Sequence, residues 1–183
     1  MSIIELFLLA VGLSMDAFAV AICIGLASQK VVLKSSITVG LYFGGFQALM
    51  PLLGYLAASL FAGKIIDYSH WIAFILLLFI GSKMIIGSFK KESLPAGKTE
   101  VSLIPMQMLP LAVATSIDAL AVGVSFAFLA VNIIPAVLLI GITTFIFSMA
   151  GVKIGTVFGT RFKTKAELAG GVILVLIGLR ILL

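Results

Sequence analysis

Charged residues are scarce in this chain of 183 residues: 10% of its residues are charged, whereas 62% are hydrophobic. An ordinary soluble domain carries roughly 25% charged residues. The 12 Lys and Arg and the 7 Asp and Glu are too few to cover a globule of this size, which excludes a soluble fold, and the high hydrophobicity excludes a disordered chain. The composition therefore indicates an integral membrane protein, which at about 30 residues per helix and loop crosses the bilayer about six times.

Cysteine and histidine are also nearly missing, because Cys23 and His70 are the single copies of each. One cysteine excludes an internal disulfide, a CxxC redox pair and a thiolate metal cage, and one histidine excludes a His-rich zinc site. The chain also lacks GxSxG and HExxH motifs, so we expect neither an enzyme nor a permanently bound cofactor. The net charge of +5 comes from residues in short loops between apolar runs, so we expect no binding to nucleic acid.

Six long apolar segments predict an all-α membrane protein, because runs this long do not alternate as the strands of a barrel do. The first segment has no positively charged start and contains Asp16, so it is interpreted as a retained helix and not as a signal peptide. The predicted helices are Ile3–Ala27, Ser35–Gly63, Ser69–Phe89, Pro105–Ala130, Ile133–Phe158 and Ala166–Leu183.

The basic residues predict how the chain is oriented in the membrane. Cytoplasmic loops carry an excess of Lys and Arg, and eight basic residues follow the odd-numbered segments whereas two lie on the other side. This predicts that both termini are outside the cell. The eight are Lys30, Lys34, Lys90, Lys91, Lys98, Arg161, Lys163 and Lys165, and the two are Lys64 and Arg180.

The chain contains an internal repeat. Two seven-residue stretches, Ser14–Val20 and Ser116–Val122, are identical at five of their seven positions. The offset between them is 102 residues. The predicted units are a first repeat at 1–91, a cytoplasmic linker at 92–104 and a second repeat at 105–183. Each repeat has three helices, an odd number, so two tandem copies enter the membrane from opposite sides. Such inverted repeats are common in secondary transporters, which bind substrate near the middle of the bilayer.

The repeat duplicates an acid in the middle of a predicted membrane helix, at Asp16 and Asp118. A charge at that depth costs on the order of 2.5–3.5 kcal/mol on insertion scales, so such residues mark functional sites more often than packing contacts. Two ionised carboxylates that face each other repel, and a divalent cation between them removes the repulsion. Oxygen ligands suit Mn²⁺, Mg²⁺ or Ca²⁺. We therefore predict a metal site at this pair, with protons competing for the same carboxylates as the coupling ion.

Neutral oxygen donors near these acids are candidate secondary ligands. Thr115 lies three residues before Asp118 and shares its helix face, whereas Ser14 and Ser116 precede their acids by two and could equally be small packing residues. The full set of candidate secondary ligands is Thr115, Gln47, Ser14, Ser116, Thr144 and Ser148.

The motifs SMDAFA at Ser14–Ala19 and ATSIDA at Ala114–Ala119 resemble those of the MntP family of manganese efflux pumps. The stretches His70–Phe74 and Gly151–Gly155 are also similar to that family. The resemblance spans the whole chain. It implies a six-helix inner or plasma membrane protein of bacterial type that exports Mn²⁺ and is related to the lysine-exporter-like transporters.

The resemblance places the membrane-embedded acids of the family on Asp16 and Asp118. Some members have Glu where this chain has Gln47, so this chain has fewer fixed negative charges. Two other interpretations remain open from the sequence: export of another divalent metal or of a cationic amino acid, and a scaffold subunit that transports nothing. Oligomeric state is not predicted.

Overall fold

The computed structural model describes residues 2–27, 33–62, 69–89, 105–158, 168, 172–173 and 175–179. Its five bounded helices are α1 (Ile3–Ala27), α2 (Leu33–Ala62), α3 (Ser69–Phe89), α4 (Pro105–Phe128) and α5 (Ile133–Phe158). The described residues of the sixth predicted helix, Ala166–Leu183, are helical as well. The predicted linker at 92–104 and most of the basic loop residues lie outside the described part of the chain.

Four of the described helices are long and apolar enough to cross a bilayer, which confirms an all-helical chain with several candidate membrane spans. An α-helix needs about 20 apolar residues to span the hydrocarbon core. The four spans are Ile3–Gly25, Leu33–Leu60, Met108–Phe128 and Ile133–Val157.

Two helix boundaries differ slightly from the predicted ones. Helix α2 begins at Leu33 and not at Ser35, because a lysine is accepted in the first turn, where Lys34 is exposed and can extend to the polar boundary. Helix α4 ends at Phe128 and not at Ala130. Ala130 has a left-handed backbone (φ 51°), and the main-chain N–H of Val131 donates to the carbonyl of Phe126 at 3.0 Å, which closes the helix end.

The helices pack in two parallel pairs joined through α2 and α5. Helix α1 lies along α5, α2 lies along both α4 and α5, and α3 packs on α4. Helix α1 also touches α4, over a smaller area than it shares with α5. The centre of the bundle is therefore bounded by α1, α2, α4 and α5.

Glycines allow main chains to touch where these pairs cross. A Cβ atom at Gly155 would overlap the carbonyl oxygen of Ile22, and one at Gly54 would overlap the carbonyl oxygen of Leu120. Small residues at helix crossings are typical of membrane proteins, where close van der Waals packing drives association.

Large apolar side chains cover the outer surface of the bundle. On α5 the exposed ones recur at intervals of four residues, which places them on one face of the helix. A surface of this kind suits lipid and not water. The face on α5 contains Ile134, Leu138, Ile142 and Ile146.

Candidate functional site

The two repeat acids lie near the middle of α1 and α4 and away from the exposed surface. Asp118 is 7% exposed, and Asp16 is half-buried. A carboxylate withdrawn from water needs charged or hydrogen-bonding partners. Within the described residues, no three His, Cys, Asp or Glu side chains form a group that could hold a metal ion. Among the described residues, a cation would therefore have at most two carboxylate side chains as ligands, with neutral oxygens supplying the others.

Residues next to the two acids pack into one core. Met15, which precedes Asp16, and Ala119, which follows Asp118, belong to the same buried cluster. Helices α1 and α4 also contact each other directly. A neighbour of each acid therefore lies in the same apolar core.

A hydrogen bond joins Ser14 on α1 to Thr144 on α5. Their hydroxyl oxygens are 2.8 Å apart and both side chains are fully buried. Because the Ser14 hydroxyl already donates to the carbonyl of Ala10 at 2.6 Å, the Thr144 hydroxyl is the donor in this bond. Ser14 therefore links two helices, in addition to being the small residue that its spacing indicates.

Gln47 reaches from α2 to the main chain of α1. Its Nε2 donates to the carbonyl oxygen of Leu13 at 3.0 Å. That carbonyl can only accept, so this bond fixes which end of the amide faces α1. The other end, Oε1, is buried and has no hydrogen-bond partner among the residues that the structure describes. Gln47 thus holds an oriented acceptor oxygen in the interior. The residue that it bonds, Leu13, precedes Asp16 by three positions on α1.

Ser148 on α5 is the second buried side chain with an unpartnered oxygen. It is fully buried, and its Oγ has no hydrogen-bond partner among the described residues. Buried hydroxyls in this protein usually donate to a carbonyl of their own helix, as Ser14 and Ser125 do. An orphaned buried polar atom commonly marks a position for a water molecule or a ligand.

The two remaining candidates on α4 bond to their own helix. Thr115 donates to the carbonyls of Leu111 at 3.0 Å and Ala112 at 3.1 Å. Ser116 donates to the carbonyl of Ala112 at 2.7 Å. Both are buried, and both oxygens keep lone pairs that could bind a cation. Nothing in their contacts distinguishes them from hydroxyls that only satisfy a helix.

The structure thus places polar side chains from four helices in the interior. They differ in their hydrogen bonds, because Gln47 and Ser148 each have an oxygen without a partner among the described residues and the others do not. Sequence reasoning missed two features: the pairing of Ser14 with Thr144, and the carbonyl of Leu13 as the anchor for Gln47. The first involves two hydroxyl residues on different repeats. The second involves a main-chain atom of an apolar residue, for which the sequence carries no signal.

An apolar groove lies between α2 and α5. Its volume is about 280 Å³, and neither Asp16 nor Asp118 is among its lining residues. The lining is glycine and apolar side chains, so the groove offers no ligands for a cation or an ammonium group. It is formed by Gly40, Leu41, Gly44, Gly45, Ala48, Val137, Leu138, Gly141, Ile142 and Phe145.

Comparison with known proteins gives one consistent match. Residues 30–182 match the sequence profile of a family described as "Putative manganese efflux pump". A protein of that description from Desulfitobacterium hafniense is 57% identical over 180 residues, which is 98% of this chain and 94% of the relative. The relative from Acetivibrio thermocellus is 56% identical over 100% of this chain and 91% of its own length.

A third relative of the same description, from Bifidobacterium adolescentis, is 50% identical over 98% of this chain and 95% of its own length. No solved structure matches the chain.

Proposed function

We propose that this chain, which belongs to the MntP family of manganese efflux pumps, exports Mn²⁺ from the cytoplasm through a site formed by Asp16 and Asp118. The observation that carries the proposal is the presence of an acid at matching positions in the middle of two membrane helices, with Asp118 buried and Asp16 half-buried. Intramembrane acids are expensive, and in transporters they serve as ion sites. The relatives supply the identity of the ion through their descriptions as manganese efflux pumps.

The proposed frame is a pair of inverted three-helix repeats. If α1 is exchanged with α4 and α2 with α5, the packing of α1 on α5 becomes that of α4 on α2, and both are extensive. One pair of contacts follows this exchange in part: Gly155 lies on the carbonyl of Ile22, and Gly54, which lies on the carbonyl of Leu120, also approaches the main-chain N of Val124, the residue 102 positions after Ile22. This correspondence supports an axis that relates the repeats in the plane of the membrane.

The proposed coordination shell has two carboxylates and several neutral oxygens. Asp16 and Asp118 supply the charge that balances a divalent ion. Among the neutral donors, Gln47 and Ser148 are favoured because their buried oxygens lack partners. The hydroxyls of Ser14, Thr144, Thr115 and Ser116 are engaged in hydrogen bonds and have a lesser claim. Carboxylate, amide and hydroxyl oxygens suit Mn²⁺ better than metals that prefer thiolates.

Exchange with protons completes the proposed cycle. An empty pair of carboxylates cannot return across the bilayer with two negative charges, because burial of unpaired charge is too costly. Protons that replace the metal remove that charge, so Mn²⁺ and protons occupy the same site in alternation. The basic loop residues support an orientation in the bacterial cell membrane with both termini outside. The linker at 92–104 then lies in the cytoplasm between the repeats at 1–91 and 105–183.

The function is tested by Mn²⁺ uptake into proteoliposomes or inverted vesicles with an imposed pH gradient. Asp16→Asn and Asp118→Asn are each expected to lower uptake by at least about tenfold, since loss of outer-shell groups alone costs 10–100-fold at metal sites. Glu5→Gln is the control, because Glu5 is an acid on the same helix that caps its first turn. Uptake that ignores the pH gradient would contradict proton exchange.

The same vesicles separate the alternative substrates. Mg²⁺, Ca²⁺ and lysine are supplied in place of Mn²⁺, and the proposal expects Mn²⁺ to be carried in preference to all three. Full activity of both Asp→Asn variants would remove the paired-acid site, and lysine transport would replace the metal as the cargo.

A further inference from the structure

We infer that the bound ion meets the two repeats unequally: Gln47 binds it directly, whereas Ser148 reaches it only through a water molecule that belongs to the site. This inference rests on the proposed function. It concerns two residues that occupy the same place in the two repeats but carry side chains of different length. The inference is carried by their burial, their hydrogen bonds and their shared position.

Gln47 and Ser148 are repeat equivalents. The second and fifth helices are related by an offset of 101 residues, as the glycine pairs Gly40 with Gly141 and Gly54 with Gly155 indicate. The same offset relates Gln47 to Ser148. These two side chains are also the ones with a buried, unpartnered oxygen in the described part of the chain. This agreement indicates that Gln47 and Ser148 occupy the same functional position in the two repeats.

The two side chains extend to unequal lengths from their helices. Gln47 spans the gap to α1 and bonds the carbonyl of Leu13, and the equivalent acceptor for Ser148 is the carbonyl of Thr115, which lies 102 residues after Leu13. No hydrogen bond joins the Ser148 hydroxyl to it. A serine side chain is two covalent bonds shorter than glutamine, or about 2.5 Å. That deficit is close to the ~2.8 Å length of an O–H···O hydrogen bond.

A water molecule fits this deficit chemically. A buried hydroxyl without a partner is normally satisfied by water, which needs two or more polar neighbours. The Ser148 hydroxyl, the acid pair and the bound ion supply those neighbours. A metal-bound water held by Ser148 would also let the ion keep part of its hydration on one side, while the oriented amide of Gln47 replaces a water on the other side.

The test counts the water molecules bound directly to Mn²⁺, by pulsed electron paramagnetic resonance of the purified full-length protein loaded with Mn²⁺ in H₂¹⁷O. Ser148→Gln supplies a second amide arm and is expected to lose one bound water relative to the wild type. Gln47→Ser is expected to gain one. Ser125→Ala removes a buried hydroxyl of α4 that bonds its own helix, and is expected to leave the count unchanged.

The outcomes separate this inference from the proposed function. A bound Mn²⁺ that is lost in Asp16→Asn, together with water counts that are equal in the wild type and Gln47→Ser, would overturn the inference and leave the paired-acid site standing. Mn²⁺ that binds equally well to the wild type and to both Asp→Asn variants would overturn the proposed function. If Ser148→Gln does not fold, the gain of one water in Gln47→Ser still decides the matter.

Discussion

The contact of α1 with α5 and the contact of α4 with α2 are both close helix crossings, but they differ in polarity. In both, a glycine lets one main chain touch the other, at Gly155 and at Gly54. The first also has a hydrogen bond between Ser14 and Thr144. In the second, the position equivalent to Thr144 is Phe43, which lies 101 residues earlier and is fully buried, so it has no hydroxyl to offer Ser116.

The difference shows that the two contacts share a glycine at one crossing but differ in the chemistry beside it. Gly54 and Gly155 are related by the same offset of 101 residues as Gly40 and Gly141, and at both Gly54 and Gly155 the close approach of two helices leaves no space for a Cβ atom. The position beside the serine was free to change, because a hydroxyl and a ring can each fill it if the neighbours adjust. Phe43 packs with Met108 and Ala112 in one buried cluster, so apolar packing takes the place of the hydrogen bond.

The largest expected effect comes from filling the two glycine crossings. Gly155→Ala and Gly54→Ala each place a methyl group on a helix carbonyl that cannot move as a flexible side chain can. Each is expected to destabilise the protein by about 1–3 kcal/mol, the usual range for overpacking, as measured by thermal unfolding in detergent. Gly45→Ala is the control, because nothing lies within 4 Å of its added Cβ atom. If one of the two alanine substitutions left the stability unchanged and the other lowered it, the two helix crossings would not be equally close.

A smaller effect is expected from the hydrogen bond that only one contact has. Thr144→Val keeps the shape of the side chain and removes the donor to Ser14. Bonds between membrane helices average about 0.6 kcal/mol and reach about 1.7 kcal/mol, so a loss in this range is expected in the same unfolding assay. Thr156→Val is the matched control, because Thr156 donates to carbonyls of its own helix. An equal loss in the control would mean that the link between α1 and α5 contributes nothing.

The smallest effect is expected at the serine of the apolar contact. Ser116→Ala removes a hydroxyl that bonds the carbonyl of Ala112 on its own helix, and that carbonyl already serves the helix. We expect a change within about 0.5 kcal/mol. Ser14→Ala should cost more, because Ser14 also accepts from Thr144. The reverse order would contradict the distinction between the two contacts.

Much of the fold could be predicted from the sequence because lipid leaves few choices. The bounds of α1, α3 and α5 agree with the apolar segments, since a long and predominantly apolar run in a membrane has to form a helix. The end of α4 could not be predicted to the residue. Val131 and Asn132 follow an uninterrupted apolar run, and the turn depends on the left-handed backbone of Ala130, a conformation that alanine rarely adopts.

Candidate site residues could be proposed from the sequence, but the hydrogen bonds between them could not. The offset of 102 residues identifies Asp16 and Asp118 without any structure. It cannot show that Ser14 is bonded across to Thr144 or that Gln47 ends on the carbonyl of Leu13. Those bonds depend on the rotation of α1 relative to α2 and α5, which is set by packing and not by periodicity.

The length of α2 links this protein to the lipid around it. Its apolar span, Leu33–Leu60, has 28 residues, which at 1.5 Å per residue is about 42 Å, whereas the hydrocarbon core is about 30 Å thick. The excess is taken up by an oblique path through the bilayer. Because the same helix packs on both α4 and α5, its inclination is shared by both halves of the bundle. We therefore expect the acyl-chain length of the host membrane to set the working speed of the carrier.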